Sequence, residues 1–195
     1  MKPIPTAYNN VLFRSRGEAR FAVMATSLGL QASYEVEGFE FDASEGVSDK
    51  YLPDFYLPAF DLWIECKPEG PTQKAWTTHK AFRRQRQHAF FVGWPNYDNA
   101  LDQFSYRFVI FDEKLGRSTD HLLAVCSSCS TLSVVPSEWR VLNAQPAAVE
   151  PVASMCKCIQ KETARFSDAR IMGALHLASS FNFNWKDAQG ATWKR

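Results

Sequence analysis

Four of the five cysteines, Cys126, Cys129, Cys156 and Cys158, fall beyond residue 125 as Cys-x-x-Cys and Cys-x-Cys. If both pairs serve one ion, the chain on either side of a 26-residue gap must meet at a point. Four thiolates fill a tetrahedral Zn²⁺ shell with no open position, so the ion expected here is structural Zn²⁺. Thr131 to Val135 reads as a strand leading out of a zinc knuckle. The Cys-x-Cys pair is tighter than the second Cys-x-x-Cys of a zinc ribbon, and His121 or His176 is a possible replacement ligand. Reduced structural cysteines or a redox pair are the other readings of the same residues.

Disulfides are the weaker reading because no export signal is visible: Met1-Lys2-Pro3-Ile4-Pro5 lacks an apolar signal core. No apolar run approaches the ~20 residues of a membrane helix. A soluble, cytoplasmic chain with no membrane partner is expected. Hydrophobic residues at 46% and charged residues at 22% exclude a disordered tail, a collagen-like repeat and a coiled coil. Residues 1–72 hold six Lys/Arg against eleven Asp/Glu, and residues 73–195 hold sixteen against ten. An acidic half beside a basic half suits a metal site next to a nucleic-acid surface, and also an ordinary two-signed surface.

Ser15 is a candidate helix N-cap and Gly29 a stop, with Phe21, Ala22, Ala25 and Leu28 as the buried stripe between them. Strands are expected at about 32–37, 38–42, 51–57 and 61–67, the first two paired after a bend. In the last, Trp63, Glu65 and Lys67 alternate against Leu62, Ile64 and Cys66. A basic helix at 73–89 precedes a short strand at 90–92, closed by Gly93-Trp94-Pro95, and another at 106–111. A last helix is expected at about 159–181. The fold class is α/β: a mixed central sheet flanked by helices over residues 1–118, then a small zinc-ribbon-like module and C-terminal helix over 119–195.

The chemistry concentrates between Tyr51 and Lys67. Glu65 and Lys67, two apart on a strand, face the same side; a hairpin brings Asp54 to Glu65. Two neighbouring carboxylates repel and favour a divalent cation between them, and a lysine beside them can orient water or offset charge on a phosphate. Glu18, three residues after Ser15, completes a capping box, yet also shares the inward stripe of its helix; one rotamer is not expected to serve both roles fully. Each of these residues also has a plain reading, as a cap, a strand-end turn or a solvated strand face.

Pro53-Asp54, ten intervening residues and Glu65-Cys66-Lys67 together resemble the PD-(D/E)XK nuclease superfamily. Phe13-Arg14-Ser15-Arg16-Gly17-Glu18-Ala19-Arg20 resembles the first helix of many such nucleases, and Tyr34-Glu35 with Tyr51 to Phe55 resembles the transposon-end and phage-encoded branches. The resemblance spans residues 8–111. It implies a restriction-endonuclease-like core, a Mg²⁺ or Mn²⁺ site formed by Asp54, Glu65 and the Cys66 carbonyl with Glu18 assisting, and Lys67 positioning the attacking water. It implies DNA as substrate, contacted by Arg16 and Arg20 and by Lys80, Arg83, Arg84 and Arg86 of the basic helix, with a protein partner as a possible source of specificity. The Cys66 side chain is expected to pack in the core. The second reading is a catalytically silent nuclease fold that binds nucleic acid or a host protein. A third makes the zinc module an interaction adaptor. Oligomeric state is open.

Overall fold

A computed structural model describes residues 3–41, 50–67, 70–86, 89–98, 103–112, 117–140, 153–154 and 156–183. Side chains are described throughout these except at 85–86, 89–98, 103–105, 111–112, 140, 153–154 and 161.

The chain opens with a hairpin of β1 (Thr6–Tyr8) and β2 (Val11–Phe13). Its two-residue loop, Asn9-Asn10, is left-handed at both positions (φ 48° and 61°), the turn whose twist matches a hairpin and which asparagine tolerates. Helix α1 (Arg16–Ser27) follows, with Ser15 as its N-cap accepting from the Glu18 N–H. It stops as expected at Gly29, left-handed at φ 69°. The Gly29 N–H reaches the Thr26 carbonyl and the Leu30 N–H reaches Ala25, which together satisfy the last turn.

Strands β3 (Ser33–Tyr34), β4 (Phe39–Glu40), β5 (Lys50–Tyr51), β6 (Phe55–Leu57) and β7 (Leu62–Cys66) come next. The expected pairing of the first two is not found: β3 pairs with β6, and β4 with β5. The cause is local. Glu35 sits left-handed at φ 46° and its N–H is taken by the Asp54 carbonyl, which turns the chain away before β4. A 3-10 turn at Pro58–Phe60 and left-handed Asp61 close the β6–β7 hairpin.

Helix α2 (Gln73–Arg86) carries the chain over to β8 (Ala89–Asp98), which lies parallel to β7. The helix is shorter than expected because Ala89 already pairs with Leu62. β8 in turn runs past Gly93-Trp94-Pro95. β7 ends opposite Gly93, so among the described residues β8 at Pro95 is paired on the β9 side alone, and a proline is tolerated where a strand has an unpaired edge. Then come β9 (Gln103–Asp112), β10 (Arg117–Cys126), β11 (Leu132–Pro136), β12 (Ala153–Ser154), β13 (Ala164–Arg165) and α3 (Ala169–Ser180). The expected start of the last helix is corrected by about ten residues: a 3-10 turn at Lys161–Thr163 and β13 occupy that stretch, and Asp168 caps the helix at the Arg170 N–H.

The fold is mixed α/β. One nine-stranded sheet runs β12-β11-β10-β9-β8-β7-β6-β3, with β13 added beside β10. The expected boundary at 118/119 falls inside β10, which pairs with β9 through residues before it and after it. The largest core unites both stretches: Phe21, Ala22 and Ala25 of α1 and Leu62, Ile64 and Cys66 of β7 share it with Ile171, Ala174, Leu175 and Ala178 of α3. Trp63 packs on the opposite face with Phe39, Phe41, Ala81 and Phe82. The expected alternation along β7 therefore separates two cores. No helix among the described residues is long and apolar enough to cross a membrane.

Candidate active site and metal centre

Antiparallel pairing of β6 and β7 sets Phe55 opposite Ile64, so the preceding Asp54 comes level with Glu65. Glu18 arrives from the first turn of α1. All three carboxylates are buried, at 6% (Glu18), 4% (Asp54) and 8% (Glu65) exposure. Asp54 Oδ2 accepts the Cys66 N–H at 2.7 Å and Oδ1 accepts Arg14 Nη2 at 3.2 Å. Glu65 accepts from the Tyr51 hydroxyl and pairs with Lys67. Glu18 Oε1 accepts the Ser15 hydroxyl at 2.6 Å, while Oε2 accepts the Tyr34 hydroxyl at 2.6 Å and the Arg14 N–H at 3.1 Å.

One Glu18 rotamer thus does what was not expected of it. It closes the helix start and still presents its charge to Asp54. The cap is shifted by one residue, since Glu18 takes the Arg14 N–H and not that of Ser15, and this leaves the carboxylate directed inward.

Burial pushes the Asp54 carboxyl well above its ordinary value, and the Glu65 and Glu18 charges push it further; the Cys66 N–H and Lys67 pull back less. Lys67 stays an ammonium: burial lowers its pKa, but Glu65 and Asp54 outweigh that and raise it. Burial and Glu65 likewise keep the Tyr51 phenol protonated as a donor. Oxygen-only donors carrying mutually repelling charge suit a hard dication such as Mg²⁺ or Mn²⁺.

The Asp54 shift has a consequence for stability. The folded state keeps this proton at pH values where the unfolded chain, near 3.8, has released it. Stability therefore falls as pH rises from about 4 toward the elevated folded value. Asp54→Asn removes that penalty and is expected to raise Tm by about 2–6 °C at pH 7.5 in a metal chelator, with a smaller gain at pH 5. Melting by circular dichroism at the two pH values checks this; a lower Tm at both contradicts it.

Three residues escaped the sequence reading of the site. Tyr34 and Tyr51 supply hydroxyl donors to Glu18 and Glu65, and Arg14 joins Asp54 to Glu35. All three lie in the motifs that carry the family resemblance, but nothing in their spacing marked them as partners of the carboxylates. Cys66 contributes packing by its side chain and an N–H to Asp54.

Of the basic residues, Arg16 is exposed and Arg20 half-buried on α1; Lys80 and Arg83 are half-buried and Arg84 exposed on α2. Lys80, Arg83 and Arg84 fall on one helical face, away from buried Ala81 and Phe82. The Arg86 side chain lies outside the described ones.

The cysteines converge. Cys126 and Cys129 flank the turn between β10 and β11, and Cys156 and Cys158 enter from the segment between β12 and β13. Ser130 is left-handed at φ 60° and its N–H closes on the Cys126 carbonyl at 2.8 Å, while the Ser127 N–H takes the Thr163 carbonyl at 2.8 Å and ties the two segments together. All four sulfurs lie within 4.8 Å of one another. Cys126 Sγ is 3.6 Å from Cys158 Sγ, which is 3.3 Å from Cys129 Sγ. Those separations approach the edge of about 3.8 Å for a tetrahedron with Zn–S bonds of about 2.3 Å. Among the described residues this is the one group of three or more His, Cys, Asp or Glu side chains so close; the three carboxylates are more widely spaced, and neither His121 nor His176 joins the sulfurs.

Proton sharing in the cluster follows. Burial opposes ionisation of Cys126, but N–H groups of Ser128 and Cys129 and the neighbouring thiols lower it. Against burial, Thr131, Cys129 and Cys158 bring Cys156 down to about 6, whereas Cys158, donating to Cys129, Cys156 and Cys126, is pushed up to about 12. A metal ion takes the place of such a shared proton. The four-cysteine group can hold a metal ion, and its donor set is that of zinc.

Comparison with protein families, with curated protein sequences and with solved structures finds no match for this chain.

Proposed function

We propose that the chain is a metal-dependent endonuclease of the PD-(D/E)XK type that hydrolyses DNA phosphodiester bonds at Asp54, Glu65 and Lys67, with Glu18 assisting. The observation that carries this reading is the burial of three carboxylates, with Asp54 held against the charge of the other two and Lys67 paired to Glu65. Such an arrangement costs stability, and a cation-binding role accounts for its presence.

A bound Mg²⁺ or Mn²⁺ would lower the pKa of a water and polarise the phosphate. Asp54 and Glu65 would hold it, with the Cys66 carbonyl and Glu18 alongside. The remaining work belongs to this chain's own groups. Lys67 is an ammonium and therefore not a base; it orients the attacking water and offsets charge developing on the phosphate. Tyr51 and Tyr34 fix the rotamers of Glu65 and Glu18. Arg16, Arg20 and the basic face of α2 supply sequence-independent contacts to the DNA backbone. The four cysteines hold structural Zn²⁺ that fixes the β10–β11 turn to the segment before β13.

Supercoiled plasmid with Mg²⁺ or Mn²⁺ tests the reading. Nicking or linearisation that disappears with a chelator and in Asp54→Ala supports it. No cleavage, together with no Mn²⁺ binding that depends on Asp54 and Glu65, overturns it. One observation favours a second reading, a silent nuclease fold that binds nucleic acid or protein. Every oxygen of the three carboxylates already has a donor from the protein: Ser15, Tyr34, Arg14, Cys66, Tyr51 or Lys67. DNA binding without Mn²⁺ binding would select that reading.

A further inference from the structure

Arg14 is placed unlike any other cation near the carboxylates. Its backbone belongs to the site's frame, because its N–H is shared between Glu18 Oε2 and the Tyr34 hydroxyl, each at 3.1 Å. Its guanidinium spans two acids, with Nε 2.5 Å from Glu35 Oε1 and Nη2 3.2 Å from Asp54 Oδ1. The side chain is 58% exposed, whereas that of Asp54 is 6% exposed. A solvent-facing cation thus rests on a buried acid from the outside.

Glu35 explains how it stays there. Its left-handed backbone (φ 46°) is a conformation that glutamate adopts at a cost, and the N–H so turned is anchored on the Asp54 carbonyl at 3.0 Å. Both acids that hold Arg14 are therefore locked to each other through the main chain. Arg14 can leave Asp54 and remain tethered by Glu35.

We propose that Arg14 is an exchangeable counter-ion of the site. It occupies Asp54 Oδ1 before a dication arrives, then swings on Glu35 to hold a phosphate of the nucleic-acid backbone. The inference rests on the endonuclease reading above. The chemistry follows from competition. A guanidinium and a divalent cation both draw on Asp54 Oδ1, and binding one weakens the other by the same factor. Once released, the planar fork presents paired N–H donors of the geometry that phosphate oxygens accept.

Two readouts with opposite signs test this on the full chain. Mn²⁺ titrated by calorimetry should bind Arg14→Gln about fivefold or more tightly than wild type, because a competitor is gone. The same variant should show about a tenfold higher KM for plasmid at saturating Mn²⁺, and the slope of log KM against log salt should fall by about one. A purely structural role would weaken both. Glu35→Gln should loosen Mn²⁺ binding in wild type by leaving Arg14 to Asp54 alone, and should change nothing in the Arg14→Gln background. Unchanged or weaker Mn²⁺ binding by Arg14→Gln, in a protein whose wild type binds Mn²⁺ through Asp54, overturns the proposal and leaves the endonuclease reading standing. Wild type that binds no Mn²⁺ overturns both.

Discussion

Lys67→Ala is expected to lower the metal-dependent cleavage rate by about three orders of magnitude while the protein stays folded. The size follows from the position of the ammonium. It pairs with Glu65 in a half-buried setting, where a positive charge facing a developing phosphoryl charge is worth about 10²–10⁴ in rate. The loss should fall on kcat at saturating Mg²⁺, because substrate contact is spread over other cations. Its raised pKa adds a second expectation: cleavage should show no lysine ionisation near neutral pH. Lys67→Arg keeps charge but replaces a compact ammonium with a planar fork, and should recover only part of the rate. Plasmid cleavage time courses measure all three. Wild-type activity in Lys67→Ala would remove this residue from the mechanism.

The second large effect is expected at the cysteines. Cys126→Ser, or treatment with a strong zinc chelator, should lower Tm by 10 °C or more, with about one equivalent of zinc per chain released. Cys126 is fully buried at the end of β10 and packs with Ala124, Val135 and Ile159 in a small core that cannot stabilise itself by area alone. The consequence should not stop there. β10 pairs with β9 on one side and β11 on the other, and α3 beyond the cluster shares its core with α1. Loss of metal should therefore destabilise the carboxylate site as well, and calorimetry should show one coupled transition. A Tm insensitive to both treatments, with no zinc in the purified protein, would leave four reduced cysteines.

Local features of the chain were legible because their causes are local. Ser15 followed by Glu18 announces a helix start, and Gly29 its end, since capping bonds and left-handed backbone involve neighbours in sequence. Alternation along Leu62–Cys66 separates the residues of the two cores correctly because a strand has a fixed period of two. Asp54 and Glu65 converge for a similarly short-range reason, being joined by a single hairpin. The cysteine pairs announced their meeting through ligand spacing.

What failed were the statements that depend on distant partners. No pattern within 32–42 shows that β3 belongs to β6 and β4 to β5; that is decided by Glu35, whose N–H finds the Asp54 carbonyl nineteen residues on. Nothing in Pro95 predicts that β8 continues, because its tolerance depends on where β7 stops. Arg14, Tyr34 and Tyr51 fall in the motifs that carry the resemblance, yet nothing in their spacing marked them as donors to the site. Only packing brings their donors to Glu18, Asp54 and Glu65.

The chain by itself determined its capped first helix, the two faces of β7, and the carboxylate and thiolate groups available for chemistry, since each is set by spacing over a few residues. The tertiary structure alone decided that β10 carries one sheet through the expected domain boundary and that α3 returns to α1. It also decided that each carboxylate oxygen meets a donor from elsewhere in the chain or across a turn. The physical reason is that burial and partner choice are properties of the packed whole: the apolar stripe of α3 specifies that it must be covered, and not by which helix.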